Sequence, residues 1–439
     1  MAFMKAPPAF IRTGIAALIA TCLLPSLSLG WGYTWMGINL EQTYEALMWR
    51  AGLLRGVGAF NLTNAGYSSD IYYGSTPEPV PDAIMAAGPN FRAMLPVDKK
   101  LVFDVSANPQ YLFYLSAKNE RAWNATVGGN LHVVLDKLYF LAGGQYGNTR
   151  ERMAAELDIN VRREQTGLTG LALWQASRAV SFALQGRKTS FDYSDVEGMQ
   201  IRERLNRNEQ VFNLRAYFQR VARIRISLDA EYGTYTFTAD PASRRDSQSY
   251  GLYGGIEYIP STDTTAEERG ISGVIHLGYG RLDLNDPLQI DYGGLVGSAA
   301  LTTNIFHHLS AHGFFERGAE FSLFAGISYY LLTSYGAGLT HSLSRRVSLT
   351  YDLSLSRSEY LVGGDEGQPL RGLDHKYTVH SFRAGLRLKR NLTVDLIANL
   401  STRSGSDLIA DGGRNFFGLS LTYGYSPGTT AFITDPIAR

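Results

Sequence analysis

The sequence predicts an all-β fold, a transmembrane antiparallel up-and-down β-barrel of about 18 strands. Three observations lead to this prediction: alternating segments along most of the chain, connections that alternate between short and long, and an N-terminal segment typical of an exported protein. Sixteen strands is the second choice, because one connection does not follow the alternation.

The alternation is clearest between residues 346 and 400. Residues 347–355 place an apolar side chain at every odd position and Ser, Thr or Asp at every even position. Residues 382–389 and 392–400 repeat this pattern, with Arg, Lys, Asp, Thr and Asn on the polar face. A period of two assigns each segment to a strand with one apolar and one polar face.

The same reading along the chain predicts eighteen strands. They are expected at residues 50–66, 83–96, 101–114, 122–135, 138–147, 156–175, 179–193, 209–220, 223–238, 248–259, 270–284, 292–305, 308–316, 327–343, 346–360, 375–389, 391–403 and 414–425. Segments of about ten residues or more are long enough for a tilted strand to cross a bilayer.

The predicted connections alternate in length. The short ones include residues 97–100, 136–137, 176–178 and 221–222, and the long ones include 68–81, 148–155, 194–208, 239–247, 361–374 and 404–413. Short turns on one side and long loops on the other are typical of an outer-membrane barrel. The link at residues 260–269 is long where a short one is expected, and this leaves the count of 16 open.

The N-terminus predicts export. Lys5 and Arg12 precede or flank an apolar run at residues 14–24, Pro25 ends the run, and small residues follow at Ser28 and Gly30. This pattern predicts a signal peptide over residues 1–30, with an uncleaved anchor as the alternative. The run is too short to span a bilayer as a helix, so a membrane-embedded mature chain must form a closed barrel.

Four segments follow from these boundaries. After the signal peptide at 1–30, residues 31–49 form a periplasmic lead-in, with a short helix from Asn39 or a short plug as options. The transmembrane barrel covers residues 50–425, and residues 426–439 form a C-terminal tail. We expect both the N- and the C-terminus of the mature chain in the periplasm.

Composition excludes several function classes. The one cysteine, Cys22, lies in the predicted signal peptide, so the mature chain has no disulfide, thiolate metal site or cysteine nucleophile. The formal charge of +1 does not favour nucleic acid as a partner. Aromatic pairs near strand ends predict membrane-interface girdles. These pairs are Tyr111 and Phe113, Tyr139 and Phe140, Tyr329 and Tyr330, Phe416 and Phe417, and Tyr423 and Tyr425.

The C-terminal part resembles a known family. Residues 333–341, 346–351, 356–360, 378–389 and 414–423 together resemble the putative β-barrel porin-2 family of Gram-negative outer-membrane proteins. The resemblance implies a pore or scaffold in the outer membrane, often associated with exopolysaccharide export. Gly418, Leu421 and Tyr423 match the core of the outer-membrane assembly signal, although residues 426–439 follow it.

That context implies the partners. We expect outer-membrane lipid and lipopolysaccharide around the barrel, the barrel-assembly machinery during biogenesis, and polysaccharide or small solutes as cargo. The run at residues 202–207, rich in Arg, is a candidate for lipopolysaccharide contact, with a solvated mixed-charge loop as the preferred interpretation.

The polar faces supply the candidate site, the wall of a lumen. Its predicted members are Arg215, Tyr217, Arg223, Arg225, Asp229, Glu231, Asp352, Arg383, Arg387 and Asp395. Both signs of charge occur, which fits opposed charge ladders across a pore or a salt-bridge network that fills it. Mixed signs favour a neutral or weakly charged glycan, or small solutes, over a strongly acidic polymer.

Three functions remain open at this stage: a channel linked to exopolysaccharide secretion, a passive diffusion porin for small solutes, and a structural or assembly barrel with a plugged lumen. We expect no enzymatic activity, because no nucleophile elbow or metal-ligand motif is present. His307, His308 and His312 form the densest histidine cluster, but only Glu316 is a nearby carboxylate, so we expect no metal and no cofactor.

Overall fold

The computed structural model describes residues 34–35, 38–72, 78–98, 100–152, 160–195, 200–221, 223–239, 244–258, 271–306, 308–324, 326–360, 374–405 and 411–424. The predicted signal peptide, the C-terminal tail, His307 and the irregular link at 260–269 lie outside these residues. No helix within the described part is long and apolar enough to cross a membrane.

Eighteen antiparallel strands close into one barrel, as the sequence predicted. We number them β1 (Leu54–Ser68), β2 (Asp82–Pro96), β3 (Leu101–Tyr114), β4 (Ala122–Val134), β5 (Leu138–Arg152), β6 (Asn160–Gln175), β7 (Val180–Tyr193), β8 (Arg207–Val221), β9 (Ile224–Phe237), β10 (Ser247–Tyr258), β11 (Ile271–Leu284), β12 (Tyr292–Phe306), β13 (Leu309–Phe321), β14 (Tyr329–Ser342), β15 (Val347–Tyr360), β16 (Asp374–Lys389), β17 (Leu392–Ser404) and β18 (Gly412–Gly424).

Each strand pairs with its neighbours in sequence, and β18 pairs with β1 to close the sheet. The alternative count of 16 strands is wrong. The strands β10 and β11, on either side of the irregular link at 260–269, pair with each other from Ser247–Leu284 to Tyr258–Gly273. The unexpected length of the link therefore does not reduce the number of strands.

The two ends of the barrel differ. We call the end with short connections, such as those after Pro96, Val134 and Gln175, the turn end, and the opposite end the loop end. The barrel begins with Leu54 and finishes with Gly424, both at the turn end. Short elements besides these eighteen strands are helix α1 (Leu40–Glu45), helix α2 (Ile201–Leu205), a 3₁₀ turn at Lys118–Glu120, and strands Thr34–Trp35 and Ile38–Asn39. A further short strand, Trp49–Ala51, pairs with the start of β1 in the barrel sheet.

The apolar faces lie on the outside. Large aliphatic side chains at alternate positions are exposed there, among them Leu184, Leu214, Leu228, Leu252, Leu277, Leu295, Leu339 and Leu396. The side chains between them in sequence point to the barrel interior and include most of the charged residues of the strands. An apolar outside and a polar inside is the arrangement of a membrane barrel.

The aromatic pairs expected at the membrane interface divide between the two faces. Phe140 and Phe417 are exposed on the outside, whereas their neighbours Tyr139 and Phe416 are 1% and 2% exposed in the interior. Tyr329 and Tyr330 are both buried. In a pair of consecutive residues only one member can meet lipid, because neighbouring strand residues face opposite sides. Tyr111 and Phe113 are two residues apart, so they share a face.

Barrel closure depends on close backbone approach at the β1–β18 seam. A Cβ atom added to Gly66 would lie 2.1 Å from the carbonyl oxygen of Phe417 and 2.4 Å from the Cα atom of Gly418. A Cβ added to Gly170, in β6, has no atom within 4 Å. The seam therefore has no room for a side chain at Gly66.

We predict that Gly66→Ala lowers the free energy of unfolding by about 1–3 kcal/mol, because the added methyl forces the two strands apart. Gly170→Ala serves as the matched control and should change it by less than about 1 kcal/mol, since the methyl meets open space. Urea unfolding in detergent micelles measures both. Equal effects of the two substitutions would contradict this account of the seam.

Candidate functional site

The interior of β1–β9, which we call the filled half, is closely packed with buried charge pairs. Arg92 donates to both carboxylate oxygens of Asp104, with Nε–Oδ1 at 2.9 Å and Nη2–Oδ2 at 2.6 Å. His132 Nδ1 lies 2.7 Å from the hydroxyl of Tyr139, and His132 Nε2 lies 3.9 Å from Asp104. The side chains of Arg92 and Asp104 are 6% and 3% exposed.

A second buried cluster unites four of the residues that the sequence predicted for the lumen wall. Arg215 donates to Asp229, and the side chains are 5% and 1% exposed. Arg215 Nη1 also lies 3.3 Å from the Tyr217 hydroxyl, and the Arg225 guanidinium lies 5.1 Å from the centre of the Tyr217 ring. Arg225 pairs with Glu257 at 3.2 Å. These residues bind one another and therefore fill space.

The remaining predicted residues of this region lie nearby. Glu231 faces a cavity of about 250 Å³, which Arg215, Asp229 and Tyr253 also line. Arg223 lies in the tight turn before β9, one residue short of the strand that was predicted to begin there.

The opposite interior wall, formed by β14–β17, is far more open. We call it the hydroxyl wall, because its inward positions carry Ser334, Thr340, Thr350, Ser354, Ser356 and Ser381, all half-buried. Ser334 Oγ lies 2.9 Å from Ser356 Oγ, and Thr340 Oγ1 lies 3.1 Å from Thr350 Oγ1. Rows of paired hydroxyl groups keep further donors and acceptors for a solute.

The other four predicted residues lie on the hydroxyl wall or next to it. Asp352 pairs with His312 Nε2 at 3.0 Å, with side chains 37% and 42% exposed. This pair crosses β14 above Gly338, where an added Cβ would lie 2.1 Å from the Asp352 carboxylate. Arg383 and Arg387 are exposed, and Asp395 is half-buried.

Helix α1 packs inside the barrel at the turn end. Leu40, Tyr44 and Leu47 are buried against an apolar patch of the filled half that includes Met94 and Leu171. The Tyr44 hydroxyl donates to the Leu53 carbonyl at 2.6 Å, and Glu45 pairs with Arg55 at 2.6 Å. The helix is shorter than the option considered from the sequence, and it occupies the half that is already filled.

At the loop end, the tip of the β13–β14 hairpin leaves the wall. The described pairing of β12 with β13 stops at Gly297–Arg317. Beyond this point Phe321 packs against Tyr235 and Phe237 of β9, with ring centres 5.1 and 5.0 Å apart. The hairpin tip therefore reaches over the interior to the filled half.

Helix α2 and Arg245 secure that hairpin tip. Ile201 and Leu205 of α2 are buried against Leu323, and Arg204 donates to the Leu323 carbonyl. Arg245 donates to the carbonyls of Arg204 at 2.6 Å, Ser322 at 2.7 Å and Ile327 at 2.8 Å. From the sequence, the basic run at 202–207 was a candidate for lipopolysaccharide contact. In the structure, Arg204 of this run binds the hairpin tip in the interior.

A network at the loop end links the β1–β2 and β3–β4 connections to the end of β5. The Tyr72 hydroxyl donates to Glu120 at 3.2 Å, and Arg150 pairs with the same carboxylate at 3.0 Å. Burial, and then the Glu120 charge, raise the pKa of Tyr72 above its ordinary value. Within the described residues, no group of three His, Cys, Asp or Glu side chains is arranged to hold a metal.

A comparison with protein families identifies the class of this barrel. A family model described as "Putative beta-barrel porin 2" matches residues 97–424. The chain belongs to this family. It is a porin-like outer-membrane β-barrel, as the resemblance noted from residues 333–423 implied. No curated protein matches the chain.

Solved structures show similar barrels at low identity. A BenF-like porin from Pseudomonas fluorescens Pf-5 is 10% identical, with a TM-score of 0.47, and the match covers 84% of this chain and 97% of that one. Pseudomonas aeruginosa OpdO gives 10% identity, a TM-score of 0.46 and coverage of 84% and 97%. Acinetobacter baumannii OccAB4 gives 12%, 0.45, and coverage of 84% and 98%.

Sequence reasoning missed the Arg92–Asp104 pair and its neighbours His132 and Tyr139. The sequence does contain one signal for this pair: the alternation of polar and apolar residues puts Arg92 and Asp104 on the polar faces of adjacent strands. Their pairing also requires the register between β2 and β3, in which Asp104 lies opposite Met94. In a hairpin the register is set by the type and length of the turn that joins the two strands.

We predict different costs for breaking the two types of ion pair. Asp104→Ala should lower the free energy of unfolding by about 3–5 kcal/mol, because the Arg92 guanidinium stays buried after the carboxylate that binds two of its nitrogens is removed. Asp352→Ala should cost less than about 1 kcal/mol, because the side chains of Asp352 and His312 are both more than a third exposed. Urea unfolding in detergent micelles provides the measurement, and a similar loss for both variants would contradict the division of the interior.

Proposed function

We propose that this protein is an outer-membrane channel whose solute path runs along the hydroxyl wall, and that it serves exopolysaccharide export. One observation carries the proposal: the filled half buries its charges in pairs, whereas Asp352, Arg383 and Arg387 stay accessible on the opposite wall. Selectivity in such a pore comes from charge and constriction.

The chemistry of the hydroxyl wall supports a polar solute of low charge. Serine and threonine donate and accept hydrogen bonds without demanding a particular charge. Arg383 and Arg387 lie near Asp352 and Asp395, so the wall carries both signs. A glycan that is neutral or weakly charged fits such a surface better than a strongly acidic polymer does.

The proposal includes an orientation. Outer-membrane barrels have short turns in the periplasm and longer loops outside. The turn end therefore faces the periplasm, and so do the two barrel termini at Leu54 and Gly424. The signal peptide at 1–30 and the barrel-assembly machinery belong to the same proposed route.

Specific features of the structure are compatible with two alternative functions. A passive porin for small solutes uses the same hydroxyl wall without a polysaccharide partner. A plugged structural barrel is favoured by helix α1 at the turn end and by the β13–β14 hairpin tip at the loop end. Conductance separates the plugged barrel from both channels.

We expect the purified full-length mature protein to conduct ions in a planar bilayer. Arg383→Glu should raise the cation-to-anion permeability ratio by up to about 15-fold, because reversing one charge about 10 Å from a passing ion in water lowers the energy of a cation and raises that of an anion by about 0.8 kcal/mol each. Salt in the pore screens the charge and reduces this factor. Lys376→Glu is the matched control on the outer face of the same strand. Reversal potentials in a salt gradient measure both variants. A wild-type protein without conductance would contradict both transport functions.

We also expect the host's exopolysaccharide to block the current, because a chain that occupies the hydroxyl wall displaces the conducting water. Simple sugars at the same mass concentration should block much less, since a single ring makes few of the contacts. Single-channel recording with polymer and monomer distinguishes the export channel from the passive porin. Equal block by both would favour the passive porin.

A further inference from the structure

The outer face of the barrel carries a groove that transport does not require. It crosses strands β2–β7 and has a volume of about 710 Å³. Its outward-facing walls are Phe91, Val105, Val127, Tyr146 and Leu168, which are 42%, 44%, 50%, 42% and 64% exposed. Ala107, Gly129 and Gly144 form the floor.

The strand register shows why the groove is continuous. Two adjacent rows of outward-facing residues run across the strands: Phe91, Ala107, Val127, Tyr146, Thr166 and Ser190 in one, and Val105, Gly129, Gly144, Leu168 and Lys188 in the other. Six strands about 4.8 Å apart give a length of about 24 Å. This is long enough for one acyl chain.

Lys188 closes one end of the groove. It points outward from β7 between Leu168 and Gln210, its partners on the neighbouring strands. The structure gives Lys188 no hydrogen bond or ion pair with any described residue, and it is exposed. A lysine on the lipid-facing surface costs up to several kcal/mol unless it lies near the interface or meets an anion.

The next row towards the loop end is polar. Thr166, Ser190 and Asn208 are cross-strand neighbours there. The rows on the other side, towards the turn end, contain Gly186 with Phe212 and then Leu184 with Leu214. Lys188 therefore lies at a boundary between hydrogen-bonding and apolar surface, which is where a lipid headgroup meets its acyl chain.

The positions of the two groove ends along the barrel axis agree with a headgroup at Lys188 and an acyl chain further along the groove. Lys188 lies eight residues beyond Val180, at the turn end of β7, which corresponds to about 20 Å along the barrel axis at about 2.5 Å per residue of a tilted strand. Phe91 lies five residues from Pro96, or about 12 Å by the same measure. The groove descends from the loop-side interface towards the middle of the bilayer.

We propose that this groove binds one lipid A unit of lipopolysaccharide, with a phosphate at Lys188 and one acyl chain along Gly129 and Gly144. Lys188 is the one charged residue among those that line the groove, and its positive charge complements a lipid phosphate. The choice of lipid A rests on the proposed orientation, which places the loop end in the outer leaflet. It does not depend on whether the barrel conducts.

Two substitutions test the headgroup and the chain separately. Lys188→Gln removes the charge but keeps the length, and should weaken lipid A binding about fivefold, which corresponds to about 1 kcal/mol for one basic residue at a membrane surface. Gly144→Leu fills the groove. A Cβ at this position would make only ordinary contacts, 3.6 Å from Leu168 and 3.9 Å from the Gly167 carbonyl, so the barrel should fold.

The measurement is native mass spectrometry of the delipidated full-length mature protein in detergent, titrated with diphosphoryl lipid A. We expect one tightly bound lipid A in the wild type, about fivefold weaker binding in Lys188→Gln, and loss of this lipid in Gly144→Leu. Lys376→Gln, an exposed outward-facing lysine on β16 away from the groove, should bind as the wild type does.

Several results would overturn the proposal. They are equal binding in Lys188→Gln and Lys376→Gln, retention of the lipid in Gly144→Leu, or equal affinity for dephosphorylated lipid A. Tighter binding of phosphatidylglycerol than of lipid A would assign the groove to a phospholipid, and a dimer that dissociates in Gly144→Leu would assign it to a second copy of the chain. A non-conducting protein that binds lipid A would refute the channel and leave this inference intact.

Discussion

Closure of the sheet between β18 and β1 is the constraint on which the rest of the structure depends. In a bilayer an unpaired strand edge would leave a row of N–H and C=O groups without partners, and each one costs several kcal/mol. Pairing from Phe416–Ser68 to Gly424–Ala59 removes that edge. Once the sheet is closed, each strand has one face towards lipid and one towards the interior.

The interior is too wide to be filled evenly, and this chain fills it on one side. Buried pairs such as Arg92–Asp104 and Arg215–Asp229 occupy the wall of β1–β9, and helix α1 covers its apolar patch at the turn end. Because these charges are buried and paired with one another, they make this wall rigid but contribute little to the selection of a solute. The wall of β14–β17 leaves its hydroxyl groups and its Asp352–His312 pair partly exposed to the interior, so it is the surface that a solute can reach.

The local sequence pattern was sufficient to predict the strands but not to predict which residues form the functional site. All eighteen predicted strands are present, because a period of two is a property of neighbouring residues and needs no tertiary contact. The largest boundary errors are at β5 and β13, which extend to Arg152 and Phe321. The ten candidate residues were chosen by face alone, and face does not distinguish a buried partner such as Asp229 from an accessible one such as Asp352.

The sequence by itself determined the class of the protein. Alternation, connections of alternating length and a short apolar N-terminal run are local signals, and they led to a closed outer-membrane barrel. The family came from the resemblance of residues 333–423. Only the tertiary structure decided which charges meet, because pairing depends on cross-strand register and on the inward course of helix α1 and the β13–β14 hairpin tip. The same dependence holds for the outer groove: its floor and Lys188 come from six strands, and no one of them contains the pattern.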